Sequence, residues 1–461
     1  MRRETQVRER PPWKPRPQVQ CVLENALDGL CESSAWLAKL RAALHAQTGE
    51  ALLGRVDHLA LPIRRYRNHL VEAGFSTDAA QDGETRALCS GAFMPPIYLR
   101  DEERARCVLA VDSVAGFVAR YPDADSGWRI EGAEGAPLRR CQVADGSGVE
   151  VWVAERWGAA GWHTQDGSRR ERDIARQHLD AFRSRPRHEG VGTARGLLGL
   201  LGNLREVIAD ATRELGADWA TALFFRAERD YWVAQTPAAQ VQGKRQDAWG
   251  LGWANHDHHT YRCSRRWFRE AVGLLELLGL EPREAFHAGA EAGWGAQVLE
   301  HPRLPIVAFV DVDLSPEELG IDFAYQALQA WDALGTIGLW CRLHGEAMFE
   351  GGLHHLACHY DFDAIRSQLK ARGIEVMPPF TDLPELRQAF TVASPRSVTS
   401  ERLGRLRAAD LITAEQANTF QRHGALGSHI ELIERRQAYK GFHQRGINTI
   451  IAHTDPRSSG S

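Results

Sequence analysis

This chain has no paired cysteines. Its eight, Cys21, Cys31, Cys89, Cys107, Cys141, Cys263, Cys341 and Cys358, are scattered, and no two form a CxxC. That removes a thiolate zinc motif and a redox pair, and reads as a set of reduced thiols in a cytoplasmic protein. No HExxH is present either, which removes the helical zinc-protease pattern. No apolar run is long enough to span a bilayer; the best, Gly196 to Leu204, is too short. Charge of one sign is not in excess. Lys and Arg number 56 against 60 Asp and Glu, a net charge of -4, so nothing here calls for nucleic acid. The opening MRRETQVRERPPWKPRPQ lacks the apolar core of a signal peptide and is expected to be a frayed tail. GLLGLLGN (196–203) has no Lys after it and reads as apolar helix, not as a phosphate loop.

What is present is an ordinary globular composition, 43% hydrophobic and 25% charged. The 461 residues suggest two domains or three. Residues 20–50 carry Leu23, Leu27, Leu30, Leu37, Leu40 and Leu44 at helical spacing. VDHLALP (56–62), RALCSGAFMPPIYL (86–99), RCVLAVD (106–112) and GVEVWVAE (148–155) read as strands, with helices at 66–74 and 113–121. The stretch 158–195 reads as a linker with a helical piece near 172–183, followed by helices at 196–215 and 217–240. From 255 the strand–helix–strand pattern returns. NHDHHTYRC, REAFHAG, PIVAFVDVDL, GLHHLACHY, IEVMPPF and GSHIELIERR read as strands. WFREAVGLLELLGL and DFDAIRSQLKARG read as helices ending at Gly279 and Gly373. Helical insertions are expected around IDFAYQALQAWDALG and over 398–424. A strand–helix–strands unit thus recurs twice in each half. Paired units of this kind can close a curved mixed sheet around a pocket, an α+β fold.

Three strands of the last third collect metal-capable side chains: Asn255-His256-Asp257-His258-His259, then His354-His355 with Cys358 and His359, then His429-Ile430-Glu431. Side chains alternate along a strand, so His258 shares a face with Thr260 and Arg262, His355 with Ala357 and His359, and Glu431 with Ile433 and Arg435. If the three faces meet, two imidazoles and a carboxylate converge. Such a facial triad leaves positions open on Fe(II) for O2 and a chelating substrate. Zinc is the alternative, since HHLACH offers His and Cys. Arg262 would lie on the metal side, able to clamp a carboxylate.

These segments resemble a known family. HHTYR with its helix to LLGLEP, the lead-in ALFFRAERDYWVAQTPAAQ, HHLACHYDFDAIRSQLKARGIEV, ELRQAF and GSHIELIERR resemble, in order, parts of the 2-oxoadipate dioxygenase/decarboxylase (hydroxyglutarate synthase) family of the vicinal-oxygen-chelate superfamily. GSHIELIERR and the trailing GFHQRGINTIIA also resemble the end of 4-hydroxyphenylpyruvate dioxygenase. The resemblance covers roughly residues 217–455. It implies paired βαβββ units around a metal pocket, Fe(II) held by His258, His355 and Glu431, and a soluble enzyme acting on a 2-oxo acid and O2 with no membrane or nucleic-acid partner. It places Arg262 at a substrate carboxylate, with Arg387 and Gln388 as further substrate contacts. The segment between the two His strands is shorter than in the bacterial 2-oxoadipate enzymes, which leaves the substrate open. A ring-cleaving dioxygenase using His359 or His429 as acid/base, and a non-catalytic binding protein, are the alternatives.

The domain plan expected is a helical extension (1–50), a degenerate vicinal-oxygen-chelate-like unit (51–157), a linker with helices (158–215) and the metal-binding unit (216–456). In the N-terminal half His58 lies on the first strand and Glu150 on the last, but Arg106-Cys107 stands where a His is wanted. That half is expected to be metal-free and structural.

Overall fold

The computed structural model describes residues 13–79, 84–121, 127–146, 148–159, 161–163, 166–188, 194–287, 293–331, 333–442, 451 and 453–458. Most of the GFHQRGINTIIA segment therefore lies outside the described residues.

Two eight-stranded sheets carry the architecture. The first contains β1 (Val56–Pro62), β2 (Ser76–Ala79), β3 (Thr85–Leu88), β4 (Ile97–Arg100), β5 (Ala105–Ala110), β6 (Ile130–Glu131), β7 (Leu138–Gly146) and β8 (Val149–Arg156), in the order β2-β3-β4-β1-β5-β8-β7-β6. The second contains β9 (His256–Arg262), β10 (Glu281–His287), β11 (Trp294–Glu300), β12 (Val307–Asp313), β13 (His355–His359), β14 (Thr381–Leu383) and β15 (Leu386–Phe390). A small pair, β16 (Pro395–Arg396) and β17 (Ala425–Leu426), precedes its last strand, β18 (His429–Arg435). Its order is β10-β11-β12-β9-β13-β18-β15-β14.

Each sheet is two βαβββ units in tandem. The first and last strands of every unit run side by side and parallel: β1 with β4, β5 with β8, β9 with β12 and β13 with β18. The first strands of paired units join antiparallel, β1 to β5 and β9 to β13. This is the α+β vicinal-oxygen-chelate arrangement, and both halves have it.

Local sequence explains the units. The helices Ile63–Glu72, Phe268–Leu277 and Phe362–Lys370 each reach a glycine with positive φ, at Gly74 (94°), Gly279 (92°) and Gly373 (75°). The next amide then bonds back five residues, Phe75 to Leu70, Leu280 to Leu275 and Ile374 to Leu369. A left-handed glycine of this type stops a helix and turns the chain into the following strand. On the second sheet, alternation separates the faces. Tyr261, Leu356, Cys358, Ile430 and Leu432 are buried against helices Ala217–Gln235, Phe268–Leu277 and Phe362–Lys370. The opposite, concave face carries His258, His355 and Glu431.

Some elements differ from expectation. Residues 86–99 form two strands, not one, and β6 and β7 had no clear pattern in the sequence. The helix expected around 321–335 starts only at Thr336 and runs to His344. Its start is fixed from outside: the Asp313 carboxylate accepts the amides of Ile337 (3.0 Å) and Gly338 (2.7 Å). Among the described residues no helix is long and apolar enough to cross a membrane.

Candidate metal centre

His258 on β9, His355 on β13 and Glu431 on β18 meet on the concave face. His258 Nε2 lies 3.1 Å and His355 Nε2 3.0 Å from the same oxygen, Glu431 Oε2. All three side chains are buried, and their donor atoms lie within 4.8 Å of one another. Metal bonds of about 2.1 Å meeting at right angles put neighbouring donors about 3 Å apart. The donor set of two imidazoles and one carboxylate, with these spacings, fits a divalent metal of the iron or zinc type.

The layer behind the ligands fixes them. β9 has a bulge: His256 pairs with Cys358 and His258 with Ala357, so Asp257 is the extra residue. A bulge re-aims a side chain. Here it brings Asp257 alongside its neighbour, and His258 Nδ1 donates to Asp257 Oδ1 at 2.8 Å. Arg435 grips the same carboxylate with two bonds, 2.6 and 3.0 Å. Burial alone would raise the Asp257 carboxyl, but Arg435, His258 and His359 hold it far below the usual range. Nδ1 is therefore a donor, and Nε2 is the ring atom aimed at the centre. On the other side Gln388 Nε2 donates to Glu431 Oε1 at 2.6 Å, leaving Oε2 for the imidazoles. Burial opposes charge on Glu431 as well, yet His258 and His355 keep it ionised. Burial also works against a charged His258, but Glu431 and Asp257 outweigh it and lift the imidazole to about 9. A bound metal would replace that proton.

The remaining sequence candidates fall in different places. Arg262 is on the concave face and buried, with Nη2 donating to Thr454 at 2.8 Å. Gln388 touches a ligand, Glu431, where a substrate contact had been expected. Arg387, one residue earlier on β15, faces the other way and pairs with Asp363 at 2.8 and 2.9 Å. β15 pairs with β18 in unbroken register, so these two neighbours point to opposite faces and the structure puts Arg387 outside the site. His359 lies 3.3 Å from Asp257, and burial pushes it down to about 4. His354 and His429 pack around His355, with both His429 ring nitrogens and His354 Nδ1 unpartnered. Asp257 and Arg435 were not singled out in the sequence. The signal was there in repetition: Asp57-His58 and Asp257-His258 open the two sheets, and Glu155-Arg156 and Glu434-Arg435 close them.

That repetition sets the register of the N-terminal half. β1 bulges at Asp57, which accepts His58 Nδ1 (2.7 Å) and pairs twice with Arg156 (2.9 and 2.8 Å). Arg106 then stands in the place of His355, and Trp152, not Glu150, in the place of Glu431. Trp162 fills the cup, with Arg106 4.6 Å and Arg140 4.2 Å over its ring. Among the described residues, His/Cys/Asp/Glu donors converge in threes only at the centre above and in the adjoining His354–His355–His429 group.

A cavity of about 1670 Å³ lies between the halves, with His58, Asp257, His359, Arg435 and Phe442 on its wall. The triad does not line it. Phe442 stands between, its ring 5.1 Å from that of His258.

No protein-family model matches this chain, and no curated protein matches it. Among solved structures it is similar to a putative glyoxalase-superfamily protein from Ralstonia eutropha, at 13% identity over 60% of this chain and 99% of that one, TM-score 0.35. It is also similar to a substituted 4-hydroxymandelate synthase from Streptomyces coelicolor, at 12% identity over 88% and 99%, TM-score 0.29. A third is the uncharacterised protein YdcJ from Shigella flexneri, which includes domain DUF1338, at 12% identity over 58% and 72%, TM-score 0.24. At such distances none of these likenesses transfers an activity.

Proposed function

We propose that this protein is a mononuclear non-haem Fe(II) dioxygenase that oxidatively decarboxylates a 2-oxo acid. One oxygen atom of O2 enters the carboxylate left after loss of CO2, and the other becomes a hydroxyl on the shortened acid. The convergence of His258, His355 and Glu431 at 3.0–3.1 Å carries this reading. Iron held there supplies a common binding point for the 2-oxo acid and O2 and the electrons that activate O2.

The chain's own groups do the rest. Asp257 keeps Nδ1 of His258 protonated, so that Nε2 is the atom that would hold the metal. Gln388 holds the Glu431 carboxylate in one rotamer. Phe309 and Phe442 pack on His258, and Phe390 on His355, so the centre is walled by rings that exclude water. Arg262 Nε and Nη1 are buried without partners, and they suit an acceptor on the substrate.

The test is oxygen uptake by Fe(II)-loaded protein with a panel of 2-oxo acids and, in parallel, catechols. Uptake with one CO2 released per O2 is the expected result. Ring-cleavage absorbance with a catechol would replace the reading by a ring-cleaving one. Tight ligand binding without uptake would leave a binding protein.

A further inference from the structure

Beyond the triad, the concave face holds a set of buried polar groups with nothing to bond to. Arg262 and Asp311 sit opposite each other on the parallel strands β9 and β12. Arg262 is 1% exposed, and its Nε and Nη1 have no partner. Asp311 is 5% exposed. Only burial and the more distant charges of Arg262, His258 and Glu431 act on its carboxyl; no hydrogen bond does. The two are too far apart to form an ion pair with each other. Thr260 Oγ1, between His258 and Arg262 on the same face, and Trp294 Nε1 on β11 are also buried and unpartnered.

Buried charges and polar groups are ordinarily paired, because leaving them bare is costly. A cation with free N–H groups and a carboxyl at paired positions on neighbouring strands, on the face that carries the triad, are therefore groups that a ligand can satisfy. A plain carboxylate would satisfy Arg262 but would meet Asp311 either as a like charge, an arrangement that recognition sites use to reject a ligand, or only with uptake of a proton by Asp311. A group offering an acceptor and a donor side by side, with no net charge, satisfies both.

We propose that Arg262 and Asp311 read the far end of the substrate, and that this end is a net-neutral donor–acceptor group such as a primary carboxamide or an amino-acid head. The inference rests on the 2-oxo acid reading of the triad and narrows it. The acceptor meets the free guanidinium N–H groups, and the donor meets the Asp311 carboxylate. Asp311 is a specificity-determining residue that takes no part in the chemistry. Burial pushes its carboxyl up to about 7 against the pull of Arg262, so it keeps its charge most readily when a donor is beside it.

The experiment uses two probes of equal length, 2-oxoglutaramate and 2-oxoglutarate, which differ only in amide against carboxylate. Binding to the full-length, metal-loaded protein is measured by calorimetry without O2, and O2 uptake is followed separately. The wild type is expected to bind the amide at least ten-fold more tightly, Asp311→Asn to lose most of that preference, and Arg262→Gln to weaken both ligands. Equal binding of the pair by the wild type, preference for the carboxylate, or no binding of either overturns the inference, and none of these depends on a variant folding. An amide preference that disappears in Asp311→Asn, with no O2 uptake by the wild type on any 2-oxo acid, would remove the oxygenase reading and keep the pocket assignment.

Discussion

His258 can ligate a metal through Nε2 only while Nδ1 keeps its proton, and a buried carboxylate on Nδ1 sets that tautomer. Asp257 is that carboxylate, and Arg435 keeps it in place with two bonds. Asp257→Asn retains the shape but weakens the hold, and metal affinity should fall by about 10- to 100-fold. A competition titration against a chelator measures this; unchanged affinity would show that Asp257 is only packing. Glu431 and Glu434 separate ligand from bystander on one strand. Glu434 accepts the Phe362 amide at 3.0 Å on the outer face. Glu431→Ala should lose the metal, and Glu434→Ala should keep a full equivalent by elemental analysis; equal metal content in both would refute the site. Alternation along a strand is enough to put His258, His355 and Glu431 on common faces from sequence alone. It misleads at Asp257, because strict alternation would send that side chain to the back of the sheet. Only the pairing of β9 with β13 reveals the bulge. Gln388 and Arg387 show the same limit: a segment resemblance cannot say which of two neighbours faces in.

At the level of the elements, the helix Thr336–His344 ties the fold to the substrate side of the pocket. Its Trp340 is fully buried, 5.9 Å from the Arg262 guanidinium. The register of the helix is set by Asp313, which caps the amides of Ile337 and Gly338. Gly335 allows the approach: a Cβ there would stand 2.3 Å from Asp313 Oδ1. Gly335→Ala should therefore cost about 1–3 kcal/mol, the range for overpacking. Asp313→Ala should cost about 0.5–2 kcal/mol, as lost helix caps do. Urea unfolding gives both numbers, and a Gly335→Ala protein as stable as wild type would mean the helix start is free to shift. The sequence could not place this helix. Its first turn is organised by a carboxylate more than twenty residues upstream, whereas local periodicity favoured the preceding IDFAYQALQAWDALG stretch. The βαβββ units were easier, since three of their four helices end at a glycine visible in the sequence.

Across the whole molecule, two copies of one architecture have diverged at the centre of the cup and kept the buttress behind it. Asp57–Arg156 repeats Asp257–Arg435, although Arg106 and Trp152 have replaced the ligands. The buttress therefore serves the sheet as well as the metal. The halves are joined by a further carboxylate, the half-buried Asp112, which follows β5. It accepts Arg229 Nη2 at 2.9 Å and the Trp253 amide at 2.8 Å, with Arg226 3.7 Å away. Those partners lie in the segment that delivers the chain to β9. Burial would raise the Asp112 carboxyl, but Arg229 and Arg226 outweigh it and the net shift is downward. A carboxylate depressed in the folded state contributes its full stabilisation above the unfolded value of about 4, and loses it as pH falls below that. Asp112→Asn should be less stable than wild type near neutrality by about 1.5–3 kcal/mol, since the charge-assisted bonds from Arg229 and the Trp253 amide are weakened. The gap should begin to narrow as pH falls from about 4 to 3, and continue to narrow below that. Urea midpoints for both proteins at pH 7, 5, 4 and 3 provide the measurement. A gap that stays constant to pH 3 would mean that the charge on Asp112 does not join the halves, and that its role is one of shape alone.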